Sequence, residues 1–307
     1  MVSFITIGRN DNYGGNFLSI IHRTLHHNLS EISKISDNFE YILIDWSSPN
    51  NDHLSNLDWV KSLLTQYPQF KIYNIKQEVI VDKNLNPNIL YEYYAKNVGI
   101  NKSKGHIISS QNSDILLSSD LINNIFELSK LEPLPYFFKP KYSVGVRIDS
   151  DLEFASNNME IINVFDLKNY LNEDLNFTGD GFYETKFGTI DFENREKDPL
   201  GEVASGDVFI SYSTHLKDLV RGFDETNPAH SNNRQASMDS EIVINYAHRG
   251  LTVYYLENLY FHIEHARKDI IKDSDRRTGV WQNPDNWGLS NYPVREVSKN
   301  LFEIYKP

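Results

Sequence analysis

Three short polar segments of this chain carry residues whose types and spacing can do chemistry. The first is Asn112-Ser113-Asp114, which directly follows an apolar run. Oxygen ligands of this kind suit Mg²⁺ or Mn²⁺, and a cation held there can in turn hold a diphosphate. The alternative interpretation is an ordinary strand-to-helix loop, in which Asn and Asp serve turn geometry.

The second segment is Met238-Asp239-Ser240-Glu241, at the predicted start of a helix. A carboxylate from Asp239 or Glu241 that faces the strand ends can act as a general base. Carboxylates at a helix N-terminus are also favoured by the helix dipole, so plain capping is the alternative.

The third segment, Tyr260 to His265, contains His262 and His265 directly after a predicted strand. On a helix both imidazoles could face one metal, whereas on a strand they would point to opposite faces. One histidine together with Asp114 would make a nitrogen and oxygen metal site, and the alternative is half-exposed polar residues at a strand end. His22 and His26 sit on one predicted helix without a neighbouring carboxylate, and we expect them to face solvent.

The elements that position these segments alternate between strands and helices over the first 110 residues or so. Strands are predicted at Val2–Gly8, Tyr41–Ile44, Lys71–Ile75 and His106–Ser110, and helices at 17–29, 54–64 and 89–100. Such alternation predicts parallel βαβ units, whose ligands bind at the carboxyl ends of the strands. The residues expected there are Arg9 to Asn12, Asp45 to Ser48 and Asn112 to Asp114.

The pattern changes from about residue 131. Short strands are predicted at Tyr142–Ile148 and Glu160–Val164, and Asn176–Asp191 is interpreted as a loop. Order then returns, with predicted strands at Asp207–Ser211 and Thr252–Glu257 and helices at Thr214–Val220 and Met238–Arg249. The last 40 residues or so, which contain Trp281 and Trp287, are expected to wrap the main body.

Composition excludes several classes of function. The 307 residues include 30 Lys and Arg against 42 Asp and Glu, a formal net charge of -12, which argues against a general nucleic-acid binder. The absence of cysteine excludes disulfides, thiol catalysis and thiolate metal sites. The sequence has neither a signal-peptide pattern nor an apolar run long enough for a transmembrane segment, so we expect a cytoplasmic protein that begins at Met1.

Several motifs, taken in order, resemble the GT-A glycosyltransferases, and within them the large family 2-like group. The residues that carry the resemblance are Val2–Arg9, the strand and turn Tyr41 to Ser48, the helix Ala95-Lys96-Asn97-Val98-Gly99-Ile100, the strand and Asp-x-Asp region Gly105 to Leu117, the strand Gly206–Ser211, the turn Gly222-Phe223-Asp224-Glu225, the segment Asp239-Ser240-Glu241, the helix end Arg249-Gly250 and His262. The sequence departs from the family in having Asn112 for the first Asp of Asp-x-Asp, Met238 for Glu and Lys96 for Arg.

The resemblance implies an α/β, GT-A (Rossmann-like) fold: an open, twisted, mostly parallel sheet flanked by helices, with an irregular acceptor-side insertion. One domain would span residues 1–265, with a nucleotide-binding half at 1–130 and an acceptor half at 131–265. Residues 266–307 would be a C-terminal extension packed on the same domain.

The resemblance also implies an activity, namely transfer of a sugar from a nucleotide-sugar donor, most often a UDP-sugar, to an acceptor hydroxyl on a glycan, lipid-linked sugar or protein. Asp114 with His262 or His265 would hold Mn²⁺ or Mg²⁺, and Asp239 would be the base of an inverting reaction, with Glu241 as its rival. Asp45 would hydrogen-bond the base of the nucleotide. Trp281 and Trp287 would stack on sugar faces, and packing of the C-terminal segment is the alternative for them. The implied donor-binding residues are Arg9, Asn10, Asp11, Asp45, Ser47, Lys96, Asn97, Asn112, Ser113 and Asp114.

Two other functions stay open at this point. A non-catalytic nucleotide-sugar or glycan-binding module on the same fold would fit the departures at Asn112 and Met238. A sugar nucleotidyltransferase would need a Gly-rich loop with several Lys or Arg after the first strand, and here that loop has Gly14 and Gly15 but only Arg9.

Overall fold

A computed structural model describes residues 1–11, 16–130, 208–226 and 281–307 of the chain, together with Ile242 and Asn245. It also describes strands at 136–146, 176–177, 182–185, 188–191 and 252–263. Of the side chains in these five strands, only those of Tyr260 and Ile263 are described.

Strands and helices alternate in the first part of the chain, as predicted. The strands there are β1 (Val2–Gly8), β2 (Phe39–Trp46), β3 (Phe70–Ile75), β4 (Ile107–Gln111) and β5 (Ile115–Leu117). The helices are α1 (Phe17–Ile35), α2 (Asp58–Gln66), α3 (Gln77–Asp82), α4 (Glu92–Lys102) and α5 (Ser119–Leu128), with 3₁₀ turns at Pro49–Asn51 and Leu54–Asn56.

The second part of the described chain consists mainly of strands. These are β6 (Tyr136–Val146), β7 (Asn176–Phe177), β8 (Phe182–Thr185), β9 (Gly188–Asp191), β10 (Val208–Tyr212), β11 (Thr252–Ile263), β12 (Val294–Ser298) and β13 (Leu301–Ile304). A π-helix spans Thr214–Val220, and a 3₁₀ turn spans Trp287–Leu289.

Ten of these strands form one sheet in the order β12-β13-β3-β2-β1-β4-β10-β6-β11-β5. The five neighbouring strands from β13 to β4 are mutually parallel, and β10 joins β4 in the antiparallel direction. Every residue of β1 and β2 is buried, because these central strands are covered on both faces. The predicted α/β fold with a mostly parallel sheet is confirmed.

Two hydrophobic cores lie on the two faces of the sheet. One contains apolar residues of α1, α2 and α5, such as Leu25, Leu63 and Ile125. The other contains residues of α3, α4 and the C-terminal segment, including Trp281 and Trp287. Both tryptophans are buried, with 4% and 6% of their surface exposed, so they pack in the core and offer no face on which a sugar could stack.

The structure differs from the sequence predictions at several elements. The segment 176–191, interpreted as a loop, contains β7, β8 and β9, which pair antiparallel in a small second sheet. The sequence analysis also missed β5, α3, α5, β12 and β13. Strand β13 lies parallel to β3 and thereby places part of the C-terminal segment in the main sheet.

His22 and His26 are half-buried, although they were expected to face solvent. The ring centroid of His22 lies 4.6 Å from that of Trp59, because α1 packs beside the start of α2.

Among the residues described, no helix is both long enough and apolar enough to cross a membrane.

Candidate functional site

The carboxyl ends of β1, β2 and β4 lie side by side, as predicted for the site. Gly8 pairs with Asp45, and Ile5 pairs with Ser110 on the other side of β1. Beyond these pairs, the backbone N–H of Asn10 donates to Ser48 Oγ at 2.8 Å. The segments that follow the three strands therefore meet at one edge of the sheet.

Arg9 is the first residue after β1, and only 2% of its surface is exposed. Its Nε lies 3.1 Å from Asp11 Oδ2. That ion pair does not have the angle of a hydrogen bond, so within the part of the chain described the buried Nε and Nη1 donate no hydrogen bond. Burial lowers the pKa of Arg9, while Asp11 and Asp45 oppose that shift. Buried N–H groups without an acceptor are costly, so this guanidinium is suited to binding an oxygen of a ligand.

Asp45 is fully buried, and its carboxylate is used within its own loop. It accepts hydrogen bonds from Ser48 Oγ, from the backbone N–H of Leu54 at 2.6 Å and from His53 Nδ1 at 3.2 Å. Because a carboxylate only accepts, His53 carries its proton on Nδ1. These hydrogen bonds hold the loop that follows β2, and the expectation that Asp45 contacts the base of a nucleotide stays a prediction.

Asn10 and Ser47 brace the same loop from its two sides. Asn10 Nδ2 donates to the backbone oxygen of Asp52 at 2.8 Å. Ser47 is fully buried, has a φ of 51° in the left-handed region, and its Oγ donates to the backbone oxygen of Pro87 at 3.1 Å. Both were predicted to bind the donor, and the structure shows them positioning the loop.

The buried ammonium group of Lys96, on α4, contacts the side chain of Asn112. Its Nζ donates to Asn112 Oδ1 at 2.5 Å and to Glu92 Oε1 at 2.6 Å, and 1% of its side chain is exposed. A buried charge persists only where such partners compensate it. The structure thus brings two of the predicted residues into direct contact across 16 positions of sequence.

Asn112 does not fit the role of a metal ligand. A divalent cation on the same oxygen would lie ~4 Å from the Lys96 ammonium, a repulsion of ~8 kcal/mol at an effective dielectric constant of about 20. Asp114 is 7% exposed, and its expected role as a metal ligand stays a prediction. Ser113 between them is half-buried. No group of three or more His, Asp or Glu residues that could hold a metal ion occurs among the described residues.

Strand pairing places the backbone of His262 beside this motif. In the β11–β5 ladder His262 is opposite Ile115, and the N–H of Ile263 donates to the backbone oxygen of Asp114 at 2.8 Å. His262 therefore lies within β11 and not after it, because that strand continues through the segment where it pairs with β5. His265 lies outside the described residues.

Asn97 holds the turn that follows the π-helix. Its Nδ2 donates to the backbone oxygen of Phe223 at 2.8 Å and to Glu225 Oε1 at 2.9 Å, and its Oδ1 accepts from the backbone N–H of Phe223 at 2.7 Å. The side chain is fully buried. These hydrogen bonds engage the Asn97 amide with the turn, and the expectation that Asn97 binds the donor stays a prediction.

The C-terminal segment also forms hydrogen bonds with the turn that Asn97 holds. The N–H of Gly288 donates to Glu225 Oε1 at 2.9 Å, and Asn283 donates from Nδ2 to the backbone oxygens of Arg221 and Phe223, each at 2.6 Å. Burial raises the pKa of Glu225, although the hydrogen bonds from Gly288 and Asn97 oppose the shift. Residues of three distant segments thus hold one turn at the edge of the site.

Asp239 and Glu241 lie outside the described residues. Two positions of the same predicted helix are described, Ile242 and Asn245, and both are helical and fully buried. Asn245 Nδ2 donates to the backbone oxygen of Trp281 at 3.0 Å. This hydrogen bond and the burial of both residues place these two positions of the predicted helix in the core, beside Trp281.

Sequence reasoning missed two residues of α1 that support the acidic motif from behind. Asn28 donates from Nδ2 to the backbone oxygen of Ile115 at 2.9 Å and accepts at Oδ1 from the N–H of Leu117, also at 2.9 Å. His27 Nε2 donates to the backbone oxygen of Leu117 at 3.0 Å. The sequence signal for both was that a polar residue falls on the apolar, buried face of an amphipathic helix.

His27 predicts a pH dependence of stability. It is buried, and burial lowers its pKa below the ordinary histidine value. Below about pH 6.5 the unfolded chain therefore binds a proton here that the folded chain does not, so stability falls as the pH falls. We expect urea unfolding to show a larger loss between pH 7 and pH 5 for the wild type than for His27→Gln, which keeps a neutral donor. Equal losses would contradict the assignment.

Comparison with known proteins gives similarity at the level of solved structures. Neither a protein-family model nor a curated protein matches the sequence. The chain is similar to S. aureus TarS 1–349 in complex with UDP-GlcNAc, with 13% identity, a TM-score of 0.49 and coverage of 87% of this chain and 59% of that one. It is also similar to the mannosyltransferase PcManGT from Pyrobaculum calidifontis in complex with GDP-Man and Mn²⁺, with 14% identity, a TM-score of 0.46 and coverage of 87% and 57%. The chain thus spans less than two thirds of the length of either structure.

Proposed function

We propose that this chain is a glycosyltransferase, which moves a sugar from a nucleotide-sugar donor to a hydroxyl of a glycan, lipid-linked sugar or protein. The observation that carries the proposal is the meeting of three segments at the carboxyl ends of β1, β2 and β4. There Arg9, the loop that Asp45 holds and the Asn112-Ser113-Asp114 motif adjoin one another. These three groups occur along the chain in the same order as the motifs by which the sequence resembles the GT-A enzymes.

The donor is proposed to be a UDP-sugar. Arg9 offers buried N–H groups to oxygens of the nucleotide, and its positive charge favours the diphosphate. Asp114 and His262 would hold Mn²⁺ or Mg²⁺, which when bound neutralises negative charge on the leaving diphosphate. Backbone pairing of His262 beside the motif supports this choice over His265.

Asp239 is proposed as the general base. It would take the proton of the acceptor hydroxyl as that oxygen attacks the anomeric carbon in line, so that the configuration inverts. Asp239 is preferred because it matches the Asp of the motif that Asp239-Ser240-Glu241 resembles and lies nearest the predicted start of the helix. Glu241 is the rival for this role.

Donor binding can be tested by thermal stability. A ligand that binds only the folded state raises the melting temperature, so UDP with Mn²⁺ should raise it more than UDP or Mn²⁺ alone. Asp114→Asn should remove the extra shift, and His262→Ala should reduce it more than His265→Ala. A shift with GDP or CMP and none with UDP would reassign the donor nucleotide. No shift with any nucleotide or nucleotide sugar would reject the proposed function.

One observation favours a second candidate, a non-catalytic nucleotide-sugar or glycan-binding module on this fold. Because residue 112 is an asparagine, whose oxygen is bound by Lys96, Asp114 is the single carboxylate of the motif. Binding of a UDP-sugar with neither hydrolysis nor transfer would support this candidate.

A sugar nucleotidyltransferase is less well supported, since Arg9 is the one cationic residue from the end of β1 to the start of α1.

A further inference from the structure

Two lysines lie close together at the amino ends of the parallel strands, on the opposite edge of the sheet from the candidate site. Lys102 is the last residue of α4, and the N–H of Gly105, three residues on, donates to Ser3 Oγ near the start of β1. Lys217 lies on the π-helix Thr214–Val220, which follows β10. π-Helices are rare and occur frequently at functional sites. This local positive charge occurs in a chain whose formal net charge is -12.

The ammonium groups of Lys102 and Lys217 are held near each other at the end of α4. Lys217 Nζ donates to the backbone oxygen of Ser103, the residue after Lys102, at 2.8 Å. Both lysine side chains are half-buried. Burial lowers the pKa of each lysine, and the charge of Lys217 lowers the pKa of Lys102 further. Two half-buried cations therefore repel each other here.

Carboxylates compensate this pair incompletely. Within the described parts of the chain, the ammonium of Lys102 has neither a hydrogen bond nor an ion pair, and the ammonium of Lys217 makes the one backbone bond. Asp218 and Glu40 act on the pKa of Lys217. Glu40 is 2% exposed, and its Oε2 is bound by Lys71 Nζ at 2.6 Å. Since an ammonium group has three donors, the pair keeps several N–H groups for an anion.

We propose that Lys102 and Lys217 together bind a phosphate group, at a site separate from the donor site. A phosphate offers acceptor oxygens to several N–H groups at once, and its negative charge removes the repulsion between the two cations. Lys102 lies about 9 Å along the axis of α4 from Lys96, which contacts Asn112 at the candidate site. A soluble phosphate and the headgroup of a phospholipid both offer this chemistry.

Calorimetric titration of the full chain with inorganic phosphate tests the site, with chloride at equal ionic strength as the blank. We expect Lys102→Gln and Lys217→Gln each to weaken phosphate binding at least fivefold. Lys104→Gln is the matched control, because it removes the same charge at an exposed position two residues from Lys102, and it should change the affinity less than twofold. Glutamine relieves the repulsion between the lysines, so both variants should fold, which their melting temperatures check.

The outcomes separate a two-lysine site from general attraction of anions. No phosphate binding by the wild type, unchanged binding in Lys102→Gln and Lys217→Gln, or an equal loss in Lys104→Gln would overturn the inference. Sedimentation with phosphatidylcholine vesicles that contain phosphatidic acid, lost in Lys102→Gln, would identify a lipid headgroup as the source of the phosphate. Phosphate binding without such sedimentation would identify a soluble phosphate. The titration uses no nucleotide, so its result is independent of the proposed function.

Discussion

Asn97→Leu is expected to lower the free energy of unfolding by about 2–4 kcal/mol. Leucine has nearly the same size but makes none of the three hydrogen bonds by which Asn97 holds Phe223 and Glu225. The N–H of Phe223 would then be buried without its acceptor, which typically costs about 1–3 kcal/mol in addition to the bonds lost. The Phe223 and Glu225 oxygens keep their contacts with Asn283 and Gly288, which bounds the loss.

Urea unfolding of Asn97→Leu against the wild type measures this effect. Asn123→Leu is the matched control, because it makes the same exchange at an exposed position of a helix and should change stability by less than about 0.5 kcal/mol. A loss no larger than that of the control would show that the Asn97 contacts do not contribute to stability.

The packing around Asn97 also explains two glycines. Gly222 has a φ of 76°, and a side-chain carbon there would collide with Asn97 Oδ1. Gly288 has a φ of 58°, and its side-chain carbon would stand 2.6 Å from the backbone oxygen of Asn97. Both backbones approach α4 closely because glycine carries no side chain, which lets the turn and the C-terminal segment share one asparagine.

The central part of the fold could be predicted from the sequence because its signals are local. Apolar runs such as Val2–Gly8 are long enough to identify buried strands, and β1 has the predicted bounds. The small sheet of β7, β8 and β9 was missed because its strands are two to four residues long and lie among glycines and polar residues. Strand β12 was missed because all of its residues are exposed, so no alternation marks it.

The sequence also predicted that the polar segments after β1, β2 and β4 adjoin at one edge of the sheet, and they do. The hydrogen bonds of their residues could not be predicted. The sequence could not show that the carboxylate of Asp45 accepts hydrogen bonds from Ser48, His53 and Leu54, because those bonds depend on the conformation of the loop that follows β2. Nor could it pair Asn97 with Phe223, since 126 positions separate them and only the folded chain brings them together.

Asp239→Asn is expected to reduce sugar transfer by ~10²–10⁴-fold, the usual contribution of a general base, while UDP affinity stays within about twofold of the wild type. Asparagine matches aspartate in shape and still caps a helix, but it cannot accept a proton at working pH. Product formation with a UDP-sugar donor and calorimetry with UDP measure the two quantities separately. An equal loss of both would show that Asp239 serves binding instead of proton transfer.

Glu241→Gln is the comparison that assigns the base. Residues two apart on a helix point about 200° apart, so Asp239 and Glu241 cannot both face one acceptor hydroxyl. Position 239 shares a helix face with Ile242 and position 241 shares one with Asn245; both of these residues are buried, so burial does not choose between the two carboxylates. Loss of transfer in Glu241→Gln, with full transfer in Asp239→Asn, would move the role to Glu241. Full transfer in both variants would remove general-base catalysis from this helix and, with UDP binding intact, would require the base to come from another element of the site.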